Sequence, residues 1–66
     1  MNHLQTIDLA EKHIGSGTMV SSAILCLANA KALAIRGEEK YSHERALKSL
    51  CYSVGIFHAD YQKAAK

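Results

Sequence analysis

Two polar breaks that contain glycine divide the chain into segments with helical spacing. The breaks are Gly15-Ser16-Gly17 and Gly37-Glu38-Glu39-Lys40, and the sequence contains no proline that would interrupt a helix between them. Apolar residues in the three segments recur at intervals of three and four. No segment alternates with a period of two, and no Asn-Gly or Asp-Gly hairpin signal occurs. The sequence therefore predicts an all-α fold of three helices in a single domain, residues 1–66.

The first predicted helix covers residues 4–14 and ends at Gly15, a natural C-terminal cap. Ile7, Ala10 and Ile14 lie on one face of it. Isolated helices shorter than about 12–15 residues are marginal in water. We therefore expect this short helix to pack against the rest of the chain.

The second predicted helix begins near Thr18, with Ser16 or Thr18 as N-cap, and ends at Gly37. Its main apolar row comprises Val20, Ala23, Ile24, Leu27, Ala30 and Ala34, and the row is widened by Met19, Leu25, Cys26, Ala32 and Leu33. A helix that is apolar around most of its circumference is usually buried on more than one side. We expect it to be the central helix.

The third predicted helix runs from Ser42, as N-cap, to the C-terminus. Its apolar stripe comprises Leu47, Leu50, Cys51, Val54, Phe57, His58 and Tyr61. Gly55 within it costs about 1 kcal/mol relative to alanine, which predicts a close helix–helix approach there. Because the link from Arg36 to Ser42 is short, the second and third helices should form a long antiparallel hairpin, with the first helix packed on it.

The two cysteines, Cys26 and Cys51, are expected at similar heights on the two arms of the hairpin. We interpret them as buried core residues, since cytosolic disulfides are rare, although a disulfide or redox pair is the alternative. Two cysteines and no signal segment at the N-terminus predict a reducing, cytoplasmic location.

Signatures of catalysis and metal binding are missing from the sequence. It has no nucleophile elbow, no HExxH zinc motif and no phosphate-binding glycine loop. The four histidines lack zinc-ligand spacing, and His58 is read as a half-buried packing residue, with a ligand or pH-switch role as the alternative. We predict no enzyme activity, cofactor or metal. No membrane span is expected either, because the apolar part of the second helix is short and contains Asn29 and Lys31.

The short length of the chain favours stabilisation by a partner chain. A domain of 66 residues has a core worth roughly 3–5 kcal/mol, and the second helix carries more apolar surface than two short neighbours can cover. We therefore predict a homodimer and a protein-interaction role. The candidate interface residues are Met19, Leu25, Leu33, Tyr52 and Ile56. Tyr52, Ile56 and Ala59 are expected to form one apolar patch on the back of the third helix.

The alternative function is that of a small nucleic-acid-binding regulator. Four basic residues gather near the turn between the second and third helices: Arg36, Lys40, Arg45 and Lys48. Three glutamates lie among them, and the net charge is only +2. The five-residue link also differs from the three- or four-residue turn of a helix-turn-helix.

The stretch RALKSLCYSVGIFHADY, residues 45–61, resembles a segment of small uncharacterised helical proteins from the early region of lambdoid bacteriophages. The resemblance covers about a quarter of the chain and contains no catalytic or binding motif. It implies a regulator that modulates host physiology or phage development in the host cytoplasm, and it assigns no role to any residue.

Overall fold

The computed structural model describes residues 1–15 and 21–65, without the side chains of residues 54–58. Its elements are α1 (His3–Gly15), α2 (Ser21–Ile35), α3 (Glu39–Tyr52) and α4 (Val54–Ala65). The prediction of an all-α fold is confirmed, and the prediction of three helices is wrong. The predicted start of the second helix, with its caps Ser16 and Thr18, lies outside the described residues.

The additional helix arises from a break at Ser53, inside the predicted third helix. Ser53 has φ −101° and ψ 0°, and its backbone N–H donates to the carbonyl oxygen of Leu50 at 3.0 Å. Its hydroxyl donates to the carbonyl oxygen of Ser49 at 3.3 Å, a local bond that competes with continued helix. Gly55, which has low helix propensity, follows two residues later. The apolar spacing continues across the break, and for that reason periodicity alone does not reveal it.

The turn between α2 and α3 has the geometry of a Schellman motif. Gly37 adopts φ +81°, its N–H donates to the carbonyl oxygen of Ala34 at 3.1 Å, and the N–H of Glu38 donates to that of Leu33 at 3.0 Å. The predicted role of Gly37 as the residue that ends the second helix is confirmed. Because the turn is this tight, α3 begins at Glu39, earlier than predicted, and Ser42 is not its N-cap.

Ser42 instead joins α3 to α2, together with Ser49. The Ser42 hydroxyl donates to the carbonyl oxygen of Ala30 at 2.7 Å, and the Ser49 hydroxyl donates to that of Ala23, also at 2.7 Å. The two serines are seven residues apart, and so are the two alanines. The serine that comes later in the chain bonds the alanine that comes earlier. The two helices are therefore antiparallel and in close contact, as the hairpin prediction required.

The core lies around α3, which contacts α1, α2 and α4. Its buried apolar residues are Ile7, Ala10, Leu27, Ala30, Ala46, Leu50 and Ala64. The prediction that the second helix is central is therefore wrong, because the small residues of α3 allow other helices to approach it from several sides. At the start of α1, Asn2 and Gln5 cap each other's backbone N–H groups at 2.9 and 3.0 Å.

Candidate interaction surface

The side of α2 that faces away from the core is apolar and uncovered. Ile24 is 46% exposed, Leu25 64% and Ile35 88%, and Ala28 and Ala32 are exposed beside them. The buried residues of the helix lie on its opposite side: Ala23, Cys26, Leu27 and Ala30. Ile24 belongs to the main apolar row predicted for this helix, but it is exposed and lies outside the buried side. In the part of the chain that the structure describes, α1 and α3 cover only one side of α2. The expectation that α2 is buried on more than one side is therefore wrong for this part of the chain.

Four of the exposed residues form a regular stripe, which we call the outer stripe: Leu25, Ala28, Ala32 and Ile35. They follow one another at intervals of three, four and three residues, the spacing at which helices pair in coiled coils. The two ends are large and the two middle positions small. Small residues in the middle permit a second helix to approach closely, and the large residues give it apolar side chains to contact at each end.

The charges that border the outer stripe are basic and already paired within the chain. Lys31 Nζ lies 2.9 Å from Glu11 Oε1 on α1, and Arg36 Nε lies 3.3 Å from Glu38 Oε2. Exposed pairs of this kind contribute little to stability, at most about 1 kcal/mol. They do remove unbalanced positive charge from the edges of the stripe, since α2 itself contains no acidic residue.

The predicted interface residues do not all reach this surface. Leu25 lies in the outer stripe, whereas Leu33 is half-buried and points to the other half of the helix. Met19 and the side chain of Ile56 lie outside the described residues. Tyr52 is exposed on α3, but the break at Ser53 places Ala59 on α4, so the predicted patch on one continuous helix is not formed.

The exposed side of α3 carries a second stripe, which we call the basic ridge: Tyr41, Arg45, Lys48 and Tyr52. The four residues are spaced i, i+4, i+7 and i+11, and all are exposed. The predicted basic cluster is therefore divided. Arg45 and Lys48 share this ridge with two tyrosines, whereas Arg36 lies in the preceding turn beside Glu38 and Lys40 lies about a third of a turn away from the ridge.

Polar contacts tie α1 to the other helices. His13, only 1% exposed, places Nε2 2.9 Å from Asp60 Oδ2 on α4. Thr6 Oγ1 lies 3.0 Å from the carbonyl oxygen of Asn2 and 3.0 Å from His43 Nδ1. Because a hydroxyl has one proton and the carbonyl only accepts, His43 Nδ1–H is the donor to Thr6.

Sequence reasoning missed these two histidine contacts. His13 follows Ala10 by three residues on the predicted apolar face of α1, and this position is the signal that indicates its burial. One contact joins α1 to α4 through His13, and the other joins α1 to α3 through His43. Both histidines therefore have a structural role between helices. The surroundings of His58 lie outside the described side chains.

The two cysteines differ in environment. Cys26 is buried in the inner side of α2, as predicted, but Cys51 is exposed on α3, so its assignment to the core is wrong. The buried side of α3 is centred on Ser42, Ala46 and Ser49, and Cys51 lies beyond its edge. Both thiols are free.

Among the described side chains, those of residues 1–15, 21–53 and 59–65, no three His, Cys, Asp or Glu gather as a metal-binding group, and no pocket is found there. No helix in this part of the chain has the length and apolar character needed to cross a membrane. No protein-family model, curated protein or solved structure significantly matches the chain. The outer stripe and the basic ridge are the exposed surfaces with a regular pattern of apolar or basic residues in the described part of the chain.

Proposed function

We propose that this protein is a small, non-enzymatic interaction module that self-associates through the outer face of α2. The observation that carries the proposal is the exposure of Ile24, Leu25 and Ile35 along one side of one helix. Scattered exposed apolar residues need no explanation, but a stripe of them marks an interaction surface.

Energetics favour the same function. Removing apolar surface from water contributes roughly 25 cal/mol per Å², and a chain of this length has little stability to spare. One helix face is smaller than the approximately 800 Å² that each partner buries in a stable complex. We therefore expect reversible association, with a dissociation constant in the micromolar range.

Sedimentation equilibrium over a range of protein concentrations tests the proposal. The wild-type chain should approach twice its monomer mass of 7.2 kDa as its concentration rises. Leu25→Lys should remain monomeric, because a lysine on the outer stripe would have to be desolvated at the interface. The matched control is Leu4→Lys, since Leu4 is a similarly exposed leucine on α1. If Leu25→Lys associates as the wild type does, the interface is not on this face.

The resemblance of residues 45–61 to phage early-region proteins supports a regulatory setting for such a module. On this proposal the protein acts in the host cytoplasm, where its self-association or its binding of a host or phage protein modulates host physiology. Expression in a bacterial host tests this part. Leu25→Lys should abolish any effect on growth that the wild-type chain produces, while Leu4→Lys should retain it.

The basic ridge favours a second candidate function, the binding of single-stranded nucleic acid. Exposed Tyr41 and Tyr52 offer rings for base stacking, and Arg45 and Lys48 between them offer cations for phosphates. Fluorescence anisotropy with a labelled oligonucleotide at two salt concentrations tests it. Binding should weaken with salt and fall in Arg45→Ala, but not in Arg36→Ala. Binding that is equally weak in all three proteins would exclude this candidate.

A further inference from the structure

The outer stripe has the same pattern when it is read from either end. Leu25 and Ile35 lie five residues before and after position 30, and Ala28 and Ala32 lie two residues before and after it. Two helices related by a two-fold axis and running in opposite directions bring such positions together. In that arrangement Leu25 meets Ile35 of the other helix at both ends, and Ala28 meets Ala32 at both sides of the centre.

We propose that a second copy of this chain packs on the outer stripe with the two α2 helices antiparallel and centred at the level of residue 30. This inference rests on the proposed self-association and specifies its geometry. The interface is isologous, as in most homodimers, so each contact occurs twice. The alanines let the helix backbones approach, while the leucine and isoleucine close the ends.

The helix dipole favours the antiparallel direction. The first turn of α2 has no acidic residue and its last turn no basic residue, and the cation of Arg36, which follows the last turn, is paired with Glu38. An antiparallel copy sets the negative C-terminal end of one α2 beside the positive N-terminal end of the other. The chain already uses this direction on the inner side, where α3 runs antiparallel to α2.

Charge at the centre of the proposed interface also fits a second copy. Lys31 is one residue from the centre, so the two-fold axis brings the Lys31 side chains of the two copies to the same side of the helix pair. Each is bound to its own Glu11 at 2.9 Å. The two pairs together form a cluster of two cations and two carboxylates with no net charge.

Disulfide trapping tests the geometry. Ala28→Cys and Ala32→Cys are each made in a Cys51→Ser chain, which removes the exposed thiol, and far-UV circular dichroism verifies the fold of each. An equimolar mixture under mild oxidation should give a 28-to-32 disulfide between chains, faster than either variant alone forms its own dimer. Trypsin cleavage at Lys31 puts the two positions on different peptides, so mass spectrometry identifies the link.

The outcomes separate this inference from the proposed function. If each variant links to itself and the mixture shows no preference, the helices are not antiparallel in this register, although self-association through the stripe stands. If no link forms while sedimentation still shows a dimer that Leu25→Lys disrupts, the geometry is again wrong and the function stands. A chain that is monomeric at every concentration overturns both.

A second readout uses the central charge cluster. Glu11→Gln leaves Lys31 of one copy beside Lys31 of the other without the carboxylates, so dimer affinity should fall several-fold at low salt and recover at high salt. Glu44→Gln, at an exposed glutamate on α3, is the matched control and should leave the affinity unchanged. Equal behaviour of the two variants would contradict the antiparallel arrangement.

Discussion

The two sides of α2 are built from similar residues but have different surroundings. On the inner side, Ala23, Leu27 and Ala30 are buried against α3, and two serine hydroxyls donate to the carbonyl oxygens of the alanines. On the outer side, Leu25 and Ala28 have the same side chains but face out of the fold. Composition alone does not distinguish the two sides. The buried side is the one whose carbonyl oxygens accept hydrogen bonds from Ser42 and Ser49 of α3.

This difference shows how a helix that is apolar all round can fold in a small chain. One side receives a partner within the chain, through small residues and direct hydrogen bonds. The other side repeats alanine and large aliphatic residues at intervals of three and four, and these side chains are exposed in the described part of the chain. We infer that both sides are packing surfaces, the inner one for folding and the outer one for association.

The largest contrast is expected between two leucines of α2. Leu27→Ala removes a buried side chain and should lower the free energy of unfolding by about 2–5 kcal/mol, enough to unfold much of the population. Leu25→Ala should leave monomer stability nearly unchanged. Urea denaturation at the lowest workable protein concentration measures both, and equal losses would mean that the faces are wrongly assigned.

Added volume at two alanines of α2 should also distinguish its inner side from its outer side. Ala30→Leu inserts a large side chain where α2 and α3 touch, and overpacking of this kind typically destabilises by about 1–3 kcal/mol. Ala28→Leu, two residues earlier on the outer side, should have little effect on the unfolding of the monomer. Thermal denaturation followed by circular dichroism separates the two, and a stable Ala30→Leu variant would contradict the close approach of the helices.

A smaller effect is expected for the serines that join α3 to α2. Each of Ser42→Ala and Ser49→Ala removes one buried hydrogen bond, so each should lower the free energy of unfolding by about 1 kcal/mol. Ser22→Ala, at an exposed position of α2, should change it by no more than a few tenths of a kcal/mol. If the three variants unfold at the same urea concentration, the hydroxyls do not hold the hairpin together.

The two thiols of the wild-type protein should differ in their rate of reaction, and this difference requires no change in the free energy of unfolding. Cys51 is exposed and should react at once with a thiol reagent in the folded protein, whereas Cys26 should react only when the chain opens. With roughly 3–5 kcal/mol of stability, the two rates should differ by about 100-fold or more. Cys51→Ser and Cys26→Ser assign the two phases. Simultaneous reaction of both thiols would show that the inner side of α2 is not closed.

Features of local chemistry could be predicted from the sequence. Gly37 predicts the turn, because glycine adopts the left-handed conformation found there more readily than other residues. Apolar spacing predicts each helical segment. The capping pair Asn2 and Gln5 was overlooked, although an asparagine three residues before a glutamine is a recognisable start signal. Such features depend on near neighbours in the chain.

Features that depend on tertiary packing could not be predicted. Ser42 reads as an N-cap in sequence, yet it is used across the helix interface, and Cys51 fits the apolar stripe but lies beyond the edge of the buried side. Of the four residues of the outer stripe, only Leu25 was among the predicted interface residues. Deciding between Leu25 and Leu33 requires knowing which side of α2 faces α3, and periodicity cannot supply this for a helix that is apolar on both sides.

We expect a second copy of the chain to contact the outer side of α2 and not its inner side. Methyl resonances followed by nuclear magnetic resonance in a dilution series test it most directly. The methyl groups of Leu25 and Ile35 should shift with concentration, while those of Leu27 and Leu50 should stay constant. Resonances that are independent of concentration, or shifts confined to α3 around Tyr41 and Tyr52, would contradict the claim.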